Sequence, residues 1–195
     1  GHVPEAIVVG IAYGKGMAEW GGGRNRDYTP TPIEERPDSG GAPDFLAFLK
    51  AEVLPFIESR YRAEPEDRTL IGMSLGGLFA TYTLFTDPDL FQRYLISSPA
   101  LLWDDGAVFD TVDAYIRENN DLSKRVFVSV GAREAGDFHD SVARLLRRLE
   151  MRTFPGLELK YHVFEGEDHP SVFPAVAIAR GVRFLFADAE PNQQD

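Results

Sequence analysis

At 195 residues with 44% hydrophobic content, the chain fits one domain with a substantial core. Its 31 acidic against 20 basic residues leave a net charge of -11, which makes phosphate backbones and anionic membrane surfaces poor electrostatic partners, so neither nucleic acid nor membrane is an expected partner. The absence of cysteine excludes a disulfide framework and a thiolate metal site, and leaves the redox compartment open.

The opening Gly1-His2-Val3-Pro4 lacks the charged start and apolar stretch of a signal peptide, and no run is long enough to span a bilayer, so a soluble, cytoplasmic protein is expected. Ala6–Ile11 has the length and β-branched content of a buried strand. As an exposed edge it would invite another chain, which leaves homo-oligomerisation open. Tyr13–Ala42, with many Gly and Pro and few aliphatic residues, predicts a loop above the sheet edge. Inside it, Gly14-Lys15-Gly16 lacks the third glycine of a dinucleotide loop, and no Walker-type Gly-Lys-Ser/Thr occurs, so no nucleotide cofactor is expected. A helix is expected from about Asp44, read as its cap, with Phe45, Phe48, Leu49 and Val53 inward and Pro55 near its end.

Four further apolar runs, Thr69–Gly72, Tyr94–Ser97, Val126–Val130 and Leu159–Phe164, predict strands. Between them lie helical patterns, clearest in Phe138–Met151, where Phe138, Val142, Leu145, Leu146 and Leu149 share a face. Another helix is expected over Val172–Phe186. Alternating strand and helix predicts an α/β fold with a mainly parallel sheet covered on both faces, because parallel neighbours need crossover connections. A single domain over residues 1–188 and a frayed polar tail over 189–195 complete the expectation.

The strongest chemical signal is Gly72-Met73-Ser74-Leu75-Gly76-Gly77, placed between a strand pattern and a helix pattern. A nucleophile elbow requires small residues two positions either side of the serine, which Gly72 and Gly76 supply. The turn sets Ser74 at a helix start, where the Leu75 N–H is the expected oxyanion donor. A serine hydroxyl needs a general base, itself held by a carboxylate. Of the four histidines, His2 is near a terminus, His139 begins a helix and His162 lies in a strand pattern; His169, in the loop after the last strand, is the expected base. The acid is expected from Gly131–Asp137, with Glu134 first, Asp137 second and Asp168 third. His162 and Glu165 have an H-x-x-E spacing, but on a strand and its exit this does not gather two ligands, and no metal is required.

Ala6–Tyr13, Arg26-Asp27-Tyr28-Thr29-Pro30, the elbow with Gly77, Ser97-Ser98-Pro99-Ala100-Leu101-Leu102-Trp103 and Gly166-Glu167-Asp168-His169, in that order, resemble the esterase family of α/β-hydrolases that includes the enterobactin-type siderophore esterases and esterase D. The resemblance runs from about Ala6 to Phe186. It implies the α/β-hydrolase fold, Ser74 as nucleophile, Glu134 as acid and His169 as base, and it makes Arg26 and Trp103 candidates for substrate binding. Two departures stand out. Met73 occupies the place where the family has histidine. Family members also begin with earlier strands, whose Gly-containing loop gives the second oxyanion donor, and the resemblance places those strands outside this chain.

The expected function is hydrolysis of a small-molecule carboxylic ester through an acyl-enzyme on Ser74, with siderophore-type esters one option and no cofactor. An acyltransferase of the same fold and a non-catalytic binding domain are the alternatives.

Overall fold

The computed structural model describes residues 3–13 and 17–187, with 17–21 as backbone only. His2, Gly14-Lys15-Gly16 and the 189–195 tail lie outside the described residues. The sheet has four strands, β1 (Thr69–Met73), β2 (Arg93–Ser97), β3 (Arg125–Gly131) and β4 (Glu158–Phe164), all parallel and side by side in chain order. β2 and β3 are apolar runs buried along nearly their whole length, as strands covered on both faces are, whereas β1 is only partly buried and β4 is largely exposed before Phe164.

Side chains alternate across the sheet and divide the core in two. Tyr94, Ile96, Val126 and Val128 belong to the larger cluster, with residues of α2 (Ala42–Phe48), α4 (Leu75–Thr86), α5 (Val108–Glu118) and α6 (Gly136–Glu150). Leu95 and Phe127 belong to a smaller cluster with α7 (His169–Val172), a π-helical turn (Phe173–Ala177) and α8 (Ile178–Leu185). This is the helix-covered parallel sheet expected from the alternation, and consecutive crossovers lead every strand's C-terminal end to one edge of the molecule.

Four expectations need correction. Ala6–Ile11 forms no strand: Ile7, Val9 and Ile11 are 46%, 46% and 38% exposed and Val8 is 92% exposed. Strand preference is realised only against a neighbour, and among the described residues β1 pairs on one side alone, with β2. The stretch from Tyr13 to Ala42 is not all loop, since α1 (Met17–Tyr28) occupies it. Tertiary packing offsets its glycine content, with the Tyr28 ring 5.5 Å from Phe45 and 5.8 Å from Phe79.

The next helix starts at Ala42, two residues before Asp44, which makes no cap hydrogen bond and lies in the first turn. It passes through a π-helical turn (Leu49–Val53) into α3 (Leu54–Arg60) rather than ending near Pro55. The wide turn shifts the hydrogen-bond register just where Pro55 has no N–H to give. Phe45 and Leu49 are buried and Val53 packs on the core, whereas Phe48 is 39% exposed. Lastly, His169 is the first residue of α7 and not part of a loop.

Candidate active site

The C-terminal ends of the four strands carry the candidate residues. β1 runs into Ser74, whose φ of 58° and ψ of -120° make the sharp turn before α4. A non-glycine residue held there is strained, and strain of this kind collects at functional sites. Gly72 is required by contact: a Cβ on it would lie 2.0 Å from the Gly76 carbonyl oxygen. Gly76 is different, since a Cβ there meets nothing within 4 Å, so its own small size is not what the turn demands. The turn is tied to β2 by the Ser74 N–H donating to the Ser97 carbonyl (3.1 Å) and the Ala100 N–H donating to the Ser74 carbonyl (3.0 Å).

Glu134 lies in the turn after β3, and its side chain is fully buried. Three donors surround its carboxylate. Oε1 accepts from the Gly131 N–H (2.6 Å) and the Ser98 hydroxyl (2.5 Å), and Oε2 lies 2.7 Å from His169 Nδ1. A buried carboxylate costs several kcal/mol unless hydrogen-bonded, and these contacts offset that cost. An ionised carboxylate only accepts, so Nδ1 carries a hydrogen, and in the neutral imidazole that leaves the lone pair on Nε2.

His169 is set by its own helix start. Asp168 caps α7, accepting from the Ser171 N–H at 3.1 Å, while the Ser171 hydroxyl accepts from the Asp168 N–H at 3.0 Å. These Ser171 hydrogen bonds hold the Asp168 carboxyl below its ordinary pKa. The cap faces Ser171, so Asp168 is occupied by the helix rather than by His169. Asp137 is exposed and accepts from the Phe138 N–H at 3.0 Å. Of the three acids considered from sequence, Glu134 alone meets the imidazole among the described residues. The Phe138 ring packs on His169 with centroids 4.6 Å apart.

The Ser74 hydroxyl has no hydrogen-bond partner among the described residues, so the serine and the His169–Glu134 pair share the sheet edge without a bond between them. Trp103 is held by its indole N–H, which donates to the Thr31 carbonyl at 3.0 Å. With Ala100, Leu102, Asp137, Phe138 and Ser141 it lines a cleft of about 100 Å³. Its Ala100 end is bonded to Ser74 and its Phe138 wall touches His169. Arg26 is turned to Asp27, with Nε and Nη2 donating to the carboxylate at 2.6 and 3.0 Å. That pairing raises the guanidinium pKa and leaves the side chain 60% exposed. Nothing in these contacts brings Arg26 to Ser74. Of the three catalytic candidates, then, the structure joins His169 and Glu134 directly and puts Ser74 at the end of the adjacent network.

Sequence reasoning assigned no part to Ser98, Gly131 or Phe138. A hydroxyl-rich Ser97-Ser98 pair ending a buried parallel strand was the available signal, because strand C-terminal ends are where such sheets place their sites.

A parallel sheet with a serine elbow after β1 and an acid–imidazole pair after β3 and β4 defines an α/β-hydrolase. The Esterase family model, described as "Putative esterase", matches residues 1–179. The chain belongs to this family and is an esterase. It is 32% identical to the ferri-bacillibactin esterase BesA of Bacillus subtilis (strain 168), over 98% of this chain and 71% of that protein. It is 30% identical to the siderophore triacetylfusarinine C esterase of Aspergillus fumigatus, over 93% of this chain and 71% of that one. The crystal structure of the BES protein from Bacillus cereus superimposes with a TM-score of 0.85 at 34% identity, covering 94% of this chain and 71% of that one.

Proposed function

We propose that this esterase cleaves siderophore-type esters by way of an acyl-enzyme on Ser74. His169 Nε2 takes the serine proton as the hydroxyl attacks the ester carbonyl, Glu134 steadies the imidazolium through Nδ1, and the imidazolium gives that proton to the departing alcohol as the ester C–O bond breaks; the neutral imidazole then activates the water that releases the acid and restores the Ser74 hydroxyl. The Leu75 N–H, at the first position of α4 where no intrahelical acceptor exists, is the oxyanion donor. The observation that carries this reading is Ser74 held at positive φ on the same sheet edge as a His169–Glu134 pair.

The substrate class rests on the likeness to two siderophore esterases, one for ferri-bacillibactin and one for triacetylfusarinine C. In this reading the Trp103 cleft receives part of the ester, and the exposed face of Arg26 meets an acidic or metal-chelating group of the ligand. The first test is fluorophosphonate labelling followed by peptide mass mapping. Labelling at Ser74, lost in Ser74→Ala and His169→Ala, is the expected result. Labelling of a folded Ser74→Ala variant at the wild-type rate would overturn Ser74 as nucleophile, and siderophore esters left intact while simple esters are cleaved would overturn the substrate class.

A further inference from the structure

The Ser97-Ser98 dipeptide at the end of β2 joins two parts of the site that belong to different loops. Ser97 reaches the nucleophile's turn, its carbonyl accepting from the Ser74 N–H at 3.1 Å. Ser98 reaches the acid's turn, its hydroxyl donating to Glu134 Oε1 at 2.5 Å. Ser98 is fully buried, its N–H donates to the Ser129 carbonyl at 2.7 Å, and its φ is 44°, in the left-handed region that serine seldom visits. That backbone turn aims the hydroxyl across the end of β3. An ordinary buried serine would bond back to its own strand or helix, at no cost in backbone conformation.

We infer that Ser98 is a positioning residue of the hydrolytic site: its hydroxyl, with the Gly131 N–H, claims Glu134 Oε1 and so reserves Oε2 for His169 Nδ1. This rests on the Ser74–His169–Glu134 reading above. A carboxylate with both donors on one oxygen cannot rotate without breaking them, and the orientation of the imidazole follows from it. Removing the hydroxyl leaves the Gly131 N–H as the only holder of Oε1 among the described residues. The carboxylate then swings, and the fraction of molecules with Nε2 aimed at Ser74 falls.

The test compares Ser98→Ala and Ser98→Gly in the full chain, with p-nitrophenyl acetate turnover, fluorophosphonate labelling rate and the low-field proton resonance of His169 Nδ1–H as readouts. That resonance is assigned by its loss in His169→Ala. Glycine removes the positive-φ strain and alanine keeps it, so the pair separates hydroxyl from backbone. The expected result is a fall in kcat and in labelling rate of about 10- to 100-fold in both variants, with KM within about twofold and the resonance shifted or broadened. Recovery of wild-type rates in Ser98→Gly would assign the effect to strain and overturn the inference, as would an unmoved resonance with labelling retained in both. A wild-type chain that gives the resonance but takes no label at Ser74 would overturn the nucleophile reading and the role of Ser98 in hydrolysis with it.

Discussion

The two ends of the one sheet differ in what they hold together. At the C-terminal ends of the strands, a hydroxyl, a backbone N–H and an imidazole converge on one buried carboxylate, and the neighbouring cleft is only about 100 Å³. At the N-terminal ends, Arg93, Lys124 and Arg125 line a larger cavity of about 410 Å³, with Gln92, Glu158 and Phe186 among the other walls. Arg93 pairs with Asp67 and Arg125 with Glu158. Volume alone would choose the end opposite the proposed site. What favours the proposed end is a serine at positive φ, an acid without a Lys or Arg partner among the described residues, and an imidazole whose Nδ1 is already engaged. The comparison implies that substitutions at the first end act on rate and those at the second on stability.

The largest effect that sharpens this contrast belongs to Glu134→Gln. The amide oxygen of the new side chain takes the donors from Ser98 and Gly131, which points its NH2 group at His169 Nδ1. That forces Nδ1 to accept and puts the hydrogen on Nε2, where it blocks removal of the Ser74 proton. Ester turnover is expected to fall by about 1,000- to 10,000-fold, checked by steady-state kinetics beside a melting curve. A folded variant within tenfold of wild type would remove Glu134 from the mechanism.

Arg93→Ala probes the opposite end. Arg93 donates from Nε to the Leu185 carbonyl at 2.9 Å, pairs with Asp67 and stacks over Phe186 at 4.5 Å. Burial, and then the charge of Arg125, lowers its pKa, so removing it also relieves a repulsion. The net loss is expected to be about 1 to 2 kcal/mol, read as a lower urea midpoint, with the fluorophosphonate labelling rate within about twofold of wild type. A tenfold loss of labelling in a folded variant would break the division between the two ends.

How far this division could be read from sequence depends on whether the signal was local. The four sheet strands were legible because each holds a short cluster of aliphatic or aromatic residues, though only β2 and β3 are buried along most of their length, and the elbow because Gly72 is demanded by a contact four residues away, with Gly76. Ala6–Ile11 carries the same local signal without the neighbour that would make it a strand. The π-helical turn before Pro55 and the helix over Met17–Tyr28 escaped because register shifts and the Tyr28–Phe45–Phe79 contacts are tertiary. Glu134 could be ranked above Asp137 and Asp168 only by its place in the loop after the strand together with the family resemblance. The distances to Ser98, Gly131 and His169 come from three loops that no local pattern connects.

The smallest expected effect lies at the junction of stability and site. Asp168 caps the short helix that begins with His169, and its hydrogen bonds from Ser171 hold its pKa below the unfolded value of about 4. A group whose folded pKa is depressed stabilises the fold above its unfolded pKa, and that contribution fades as pH falls through the folded value. Asp168→Asn removes the titration but keeps a side-chain oxygen able to cap, so the difference in Tm near neutral pH is small. The two melting curves should draw together as pH is lowered below about 4, and the gap should narrow in salt because Asp168 is partly exposed to solvent. A gap that stayed constant down to about pH 2 would show that the charge of Asp168 contributes nothing. In that case the helix start that orients His169 is held by hydrogen-bond geometry alone, as the carboxylate of Glu134 is held by Ser98 and Gly131.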